Sequence, residues 1–304
     1  MIQFSQDQKH AWQDGAGLRR EMVDTIVELV ENALQNSEFS NSYPDAIISG
    51  TMGIGKTYNA ERELLKRGIE PIIVKGNQSV ANLAGALMVY HHRFTNRANP
   101  KPGEKLIIMY DDCDSLFENS KSINILKGMT GAEGTRIFQH NVQINKHMYS
   151  AFQQSIIDNY APSDGSSGIH VPCEDMVFIF TTNSTLPTEK EAKEYLKAKG
   201  PTSHGAKKMD LAAVRRRVQV RNFVLPKKAN WGWLVEVALN DGGLDMLPDQ
   251  MSKMILLDWV WNNWDAMTET NLSTLEKMAI MMLRSPDNYR DKWERAFINH
   301  IAQL

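Results

Sequence analysis

Cysteine is scarce: this 304-residue chain has two, Cys113 and Cys173. So few thiols exclude a disulfide framework and a cysteine-rich zinc site, and they fit a reduced, cytosolic setting. No apolar run approaches the ~20 residues of a membrane-spanning helix, and Met1 to His10 is polar, without the apolar stretch of a signal peptide. A surplus of one charge is missing too. Lys and Arg total 34 against 36 Asp and Glu, net −2. Global electrostatics therefore select neither nucleic acid nor an acidic partner. There is no internal repeat and no long low-complexity segment. What remains is ordinary for a soluble globular protein, with 42% hydrophobic and 23% charged residues. The length allows one large domain or two modest ones. Trp231, Trp233, Trp259, Trp261 and Trp264 cluster late and mark out a separate C-terminal unit.

The most informative stretch is Gly50-Thr51-Met52-Gly53-Ile54-Gly55-Lys56-Thr57, followed by Tyr58. It fits the pattern G-x-x-x-x-G-K-[ST] between an apolar run and a helix-like segment. Glycines let successive backbone N–H groups turn toward phosphate oxygens, and the following helix adds its positive end. Lys56 would reach the β- and γ-phosphates, and the Thr57 hydroxyl would sit on Mg²⁺.

Along the chain, Met1–Gly17 reads as an extended arm, and helical spacing begins at Leu18. Apolar strands are expected at 45–49, 71–75, 106–110, 176–180 and 218–225, with helical segments between them. Residues 136–144 alternate and suggest a hairpin about His140-Asn141. After Pro226 only helices follow, near 229–240, 247–266, 272–284 and 286–303, with Ser273-Thr274-Leu275-Glu276 resembling a capping box. The expected division is an N-terminal arm and helix at 1–41, an α/β core at 42–225 and a helical domain at 226–304. Strands alternating with helices imply a parallel sheet, whose ligands bind at the C-terminal strand ends.

Three polar signals fall at such ends. Asp111 would hold the Mg²⁺ shell, and Asp112 would orient or deprotonate an attacking water. Asn183 would hydrogen-bond the γ-phosphate and the water, with Thr182 the alternative. Asp114 reads as a helix N-cap or a solvated carboxylate. Arg215-Arg216-Arg217 admits three readings: an arginine finger for a neighbouring subunit, contacts to a nucleic-acid backbone, or a solvated basic turn. The tryptophans suit core packing better than base stacking. His91, His92, His140 and His147 lack a zinc pattern.

Taken together these residues resemble the AAA+ ATPase family of P-loop NTPases. The order is Walker A (50–57), Walker B (106–112), sensor 1 (Thr182-Asn183), a paired-arginine segment and a helical lid. The stretch 110–117, with Ile125-Leu126-Lys127-Gly128 after it, looks most like small AAA+ ATPases encoded by tailed bacteriophages. The resemblance implies a five-stranded parallel sheet in the order 5-1-4-3-2 with a C-terminal all-helical lid. It also implies ATP and Mg²⁺ as cofactors, and a homo-oligomeric ring or spiral, typically a hexamer. Arg216 and Arg217 fall at the finger positions, and His10 to Trp12 are placed to try adenine.

Three departures stand out. The water-activating position holds Asp112 where Glu is usual. Leu275 stands where a sensor 2 arginine is expected, with Lys277 the nearest cation. The loop Gly76-Asn77-Gln78-Ser79 has no aromatic residue, which argues against polypeptide threading. Segment 134–148 would instead supply a channel hairpin, with Arg136, Lys146 and His147 facing a partner. The expectation is a Mg²⁺-dependent ATPase that remodels a protein or protein–nucleic acid assembly, with a DNA-directed motor or helicase loader as the leading guess. Its setting would be the cytoplasm, the host's if phage-encoded, without membrane association. The competing expectation is a nucleotide-gated assembly protein that hydrolyses ATP slowly.

Overall fold

The computed structural model describes residues 3–35, 44–76, 79–99, 104–131, 136–141, 143–200 and 202–298. Two compact units emerge. One comprises 25–50 and 56–223, the other 1–24, 51–55 and 224–304.

The first unit is α/β. Its strands are β1 (Ala46–Gly50), β2 (Ile72–Lys75), β3 (Leu106–Asp111), β6 (Met176–Thr182) and β7 (Gln219–Phe223). They form one parallel sheet in the order β2-β3-β6-β1-β7. Counting only these five strands, that is the 5-1-4-3-2 order the AAA+ resemblance implied. The central strands β1 and β6 are buried along their whole length, as their continuous apolar runs require, whereas no residue of the edge strand β7 is fully buried. Helices α2 (Lys56–Lys66), α3 (Val80–Thr95) and α4 (Ser120–Met129) connect the early strands. Then α6 (Glu189–Lys199) and α7 (Ser203–Arg215) lead to β7. Tyr110 stacks on Phe180, ring centroids 5.2 Å apart, with Phe117 edge-on to Phe180.

Segment 136–172 departs from expectation. The strand β4 (Ile137–His140) does not turn back at His140-Asn141. It pairs antiparallel with β5 (Ile169–Pro172), and the short helix α5 (Ala151–Ile156) lies between them in sequence. Nor does Arg136 face a partner. It is buried and forms a two-pronged ion pair with the fully buried Asp45, at 2.7 and 2.8 Å. It also donates to the carbonyls of Met129 and Met176, while Asp45 accepts from the Phe178 amide. The start of β1 is thereby fastened to β6 and to the end of α4. Burial pushes the Asp45 carboxyl up to about 6 even though Arg136 pulls it down.

The second unit is helical: α8 (Lys227–Asn240), α9 (Gln250–Asn263), α10 (Leu272–Arg284) and α11 (Tyr289–Phe297). It also takes in the first part of α1 (Gln6–Gln35). The expected extended arm is therefore helix. Ser5 and Gln8 cap its start reciprocally, side chain to backbone, at 3.2 and 2.7 Å. Gly15 and Gly232 permit close crossing of α1 and α8. A Cβ on Gly232 would fall 1.8 Å from the Ala11 carbonyl oxygen, and one on Gly15 2.2 Å from the Trp233 nitrogen. Trp231, Trp233 and Trp293 are buried, and the Trp231 and Trp293 indole N–H groups donate to the Leu257 and Met278 carbonyls. Of the tryptophans expected to pack the core, Trp233 is buried, and Trp259 and Trp264 are half-buried against the helical core. At α10 the N-cap is Asn271, bonded to the Thr274 amide, rather than the expected Ser273 box. Among the described residues, no helix is long and apolar enough to cross a membrane.

Candidate functional site

The chain leaves β1 at Gly50 and enters α2 at Lys56. Gly50 has φ 137°, and a Cβ there would stand 2.0 Å from the Phe223 carbonyl oxygen of β7, so only glycine fits. Gly53 and Gly55 also take positive φ, 75° and 76°. Loop residues 51–55 group with the helical unit. There Thr51 Oγ1 accepts from the Leu225 amide at 3.0 Å, and Gly53 lies against Asn271. Ile54 is buried, Met52 and Tyr58 are exposed, and the Arg62 guanidinium lies 5.6 Å from the centre of the Tyr58 ring.

Within the sheet unit the predicted polar residues meet. Lys56 is only 6% exposed. Its Nζ donates to the Gly50 carbonyl at 3.1 Å and to Asn183 Oδ1 at 3.0 Å, joining the start of α2 to the end of β6. Burial lowers the amine to about 8, against the opposing pull of Asp112, Asp114 and Asp111. An anionic phosphate beside this amine would relieve that desolvation.

Thr57 Oγ1 donates to Asp111 Oδ1, which also accepts from Thr181 Oγ1 at 3.1 Å. The two hydroxyls are 3.0 Å apart. Thr57 and Asp111 thus present adjacent hard oxygen atoms. Among the described residues no group of three His, Cys, Asp or Glu forms a metal cage. This donor set fits Mg²⁺, which takes one or two protein oxygens and completes its shell with phosphates and water. Thr181 was not singled out from sequence; its place one residue before Thr182 on the strand beside β3 is the signal that marks it.

Asp112 is exposed and has φ 51°, the single non-glycine residue with positive φ among those described. Its carboxylate accepts from Asn183 Nδ2 at 3.4 Å. An uncommon backbone conformation directly after a sheet strand turns this side chain out of the strand's alternation, a feature found at functional sites. Asp114 opens a short 3₁₀ turn (Asp114–Phe117) and is not a free surface carboxylate. It accepts from the Thr182 hydroxyl, from the Asn183 amide at 2.9 Å and from Asn183 Nδ2 at 3.4 Å. Burial favours its neutral form, but these hydrogen bonds prevail and hold its carboxyl below the usual range.

The arginines separate. Arg215 donates to the Leu186 carbonyl at 2.5 Å, and Arg217 to the Ala213 carbonyl at 2.9 Å, its aliphatic stem beside Gly131. Arg216 is exposed and pairs with Glu189 at 3.1 Å. These partners all lie outside the Lys56–Asn183 group. Leu275 is fully buried in the helical unit, and Lys277 is exposed. Trp12, half-buried in that unit, donates from Nε1 to Glu236 at 2.8 Å, while His10 is exposed. The 76–79 loop falls partly outside the described residues.

No protein-family model matches the sequence, and no curated protein matches it either. Among solved structures, the chain is similar to a crystal structure described as a DNA replication initiation factor, with 12% identity and a TM-score of 0.39. The match covers 88% of this chain and 63% of that one, so it spans somewhat under two thirds of that structure's length.

Proposed function

We propose that this chain is a Mg²⁺-dependent AAA+ ATPase. The observation that carries the reading is the meeting of Lys56 and Thr57 with Asp111 and Asn183, residues from α2, β3 and the end of β6. In this reading Gly50 to Thr57 bind the ATP phosphates through the loop amides and Lys56, with Thr57 and Asp111 holding Mg²⁺. Bound Mg²⁺ supplies neutralisation of charge on the phosphoryl oxygens. Asp112 orients the attacking water and Asn183 senses the γ-phosphate. Residues 42–225 form the nucleotide-binding core and 226–304 its lid, in a protein of the small phage-encoded kind acting in the cytoplasm. Of the finger candidates Arg216 is the more available, since it is exposed and, among the described residues, its side chain is held by a surface carboxylate, whose hold is weak. The assembly is a homo-oligomer that remodels a protein or a protein–nucleic acid complex.

A second reading, the slowly hydrolysing assembly switch, draws on the short side chain at Asp112 and the buried Leu275. One experiment separates the two: steady-state ATP hydrolysis with and without Mg²⁺ and single-stranded DNA, across a protein concentration series, for wild type, Asp112→Asn and Arg216→Ala. A motor shows specific activity that rises with concentration, needs Mg²⁺ and falls about 10²-fold or more in Asp112→Asn. Slow turnover indifferent to Asp112, with ATP-dependent assembly retained, supports the switch. Absence of ATP binding refutes both.

A further inference from the structure

Asp111, Asp112 and Asp114 lie within four consecutive positions, and the site above gives roles to the first two alone. Asp114 nevertheless makes the densest set of contacts to the end of β6. One oxygen, Oδ1, takes both the Thr182 hydroxyl and the Asn183 backbone amide, while Oδ2 faces Asn183 Nδ2. Thr182 Oγ1 in turn accepts from the Ser184 amide at 3.0 Å, which closes the turn leaving the strand. The opposite face of the Asn183 side chain, Oδ1, receives Lys56 Nζ.

An Asn side chain has two orientations related by exchange of its oxygen and nitrogen. Here one is selected. A carboxylate accepts and never donates, so it requires the Nδ2 end toward Asp114 and leaves the Oδ1 end for the lysine. The Asp112 carboxylate, 3.4 Å from the same Nδ2, favours the same orientation, and the reversed one would set Oδ1 against two carboxylates and Nδ2 against an ammonium, three repulsive contacts in place of three attractive ones.

We infer that Asp114 is a positioning residue, a clamp that fixes the backbone and side-chain orientation of Asn183 and, through Asn183, the placement of the Lys56 amine. The inference rests on the ATPase reading for its consequence but not for its geometry. Asp114 touches neither phosphate nor water in this scheme. Its effect is on how well Asn183 and Lys56 are held when the phosphoryl group reacts, a requirement stricter than that of binding.

The test uses the full chain and two substitutions. Asp114→Asn keeps one acceptor oxygen for Thr182 and the Asn183 amide but turns an NH₂ toward Asn183 Nδ2, and Asp114→Ala removes every contact. Circular dichroism confirms folding, and a fluorescent ATP analogue measures affinity. The expected result is a graded loss of kcat, about tenfold for Asn and more for Ala, with the dissociation constant changed less than threefold. Equal losses in kcat and affinity, or kcat within twofold of wild type in both variants, would overturn the inference. A second readout needs no nucleotide: the side-chain amide ¹H–¹⁵N signals of Asn183, identified by their loss in Asn183→Ala. They should move in both Asp114 variants, and if they stay in place the clamp does not exist, whatever the turnover. If wild type neither binds nor hydrolyses ATP while these signals move, the clamp stands and the ATPase reading fails.

Discussion

Removing either member of the buried Asp45–Arg136 pair should damage the fold far more than removing both. In Arg136→Met, Asp45 keeps the Phe178 amide but loses two charge-assisted hydrogen bonds, and the Met129 and Met176 carbonyls each lose a donor. In Asp45→Leu, the guanidinium remains buried against the two carbonyls without a counter-charge. Breaking such a pair costs about 3–5 kcal/mol, because one charge is stranded away from water. Replacing both by apolar residues of similar size removes the stranded charge and leaves two under-satisfied carbonyls and the Phe178 amide without its acceptor, at about 1 kcal/mol each. The double variant should therefore lie nearer wild type than either single one, with a coupling of at least about 2 kcal/mol. The pH response supplies a second check. With Arg136 absent, the lowering influence on Asp45 is gone, so its carboxyl rises further above about 6. At pH 5 Arg136→Met then carries a neutral acid instead of a buried anion, and its deficit should shrink relative to pH 8. Urea midpoints for all four proteins at both pH values measure this. Additive single effects, or an Arg136→Met deficit larger at pH 5, would refute the reasoning.

Gly50→Ala should abolish nucleotide binding and cost at least about 2 kcal/mol, since the new methyl would meet the Phe223 carbonyl at a left-handed φ. Gly68→Ala, where φ is 70° with nothing within 4 Å, should cost only about 1 kcal/mol and leave binding intact; thermal melts with ATP titration compare them. Lys56, lowered to about 8, predicts ATP affinity that is flat below about pH 7 and weakens up to tenfold per unit above 8, with proton uptake on binding. Calorimetry in buffers of different ionisation enthalpy reads that uptake. Because the folded amine binds fewer protons than the unfolded one between 8 and 10.5, nucleotide-free stability gains from this group as pH rises through the same window.

The first four sheet strands, β1, β2, β3 and β6, were legible because each is a short apolar run ending in polar residues, a local signal, whereas their order came from the AAA+ resemblance. The glycine-rich loop 50–57 was legible for the same reason, as a turn between a strand and a helix. What escaped depended on distant partners. Arg136 read as an exposed cation, yet its carboxylate lies 91 positions away. The strand β4 read as half of a local hairpin, but its partner β5 comes only after α5. The first turns of α1 were hidden by weak periodicity and two glycines, and Gly15 is there for the approach of α8 rather than to end the helix. Its capping signal, Ser5-x-x-Gln8, is nonetheless present in the sequence.

The acidic cluster shows the limit most sharply. Asp111, Asp112 and Asp114 are one letter in one stretch, and composition cannot rank them. The fold separates them by two means. A positive φ takes Asp112 out of the strand alternation that leaves Asp111 on Thr57. A contact 68 positions away binds Asp114 to Thr182. In the proposed ATPase the three carboxylates therefore differ in what an Asn replacement removes. At Asp111 it weakens an oxygen ligand beside Thr57, so loss should be partly recovered by raising Mg²⁺. At Asp112 it removes a base while suiting the left-handed backbone, so turnover falls without loss of stability. At Asp114 it sets a donor against a donor, and no concentration of Mg²⁺ or ATP restores the orientation of Asn183. Three variants with the same chemical change should thus give three different responses to Mg²⁺, and identical responses would mean that the separation argued from backbone and hydrogen bonding has no functional consequence.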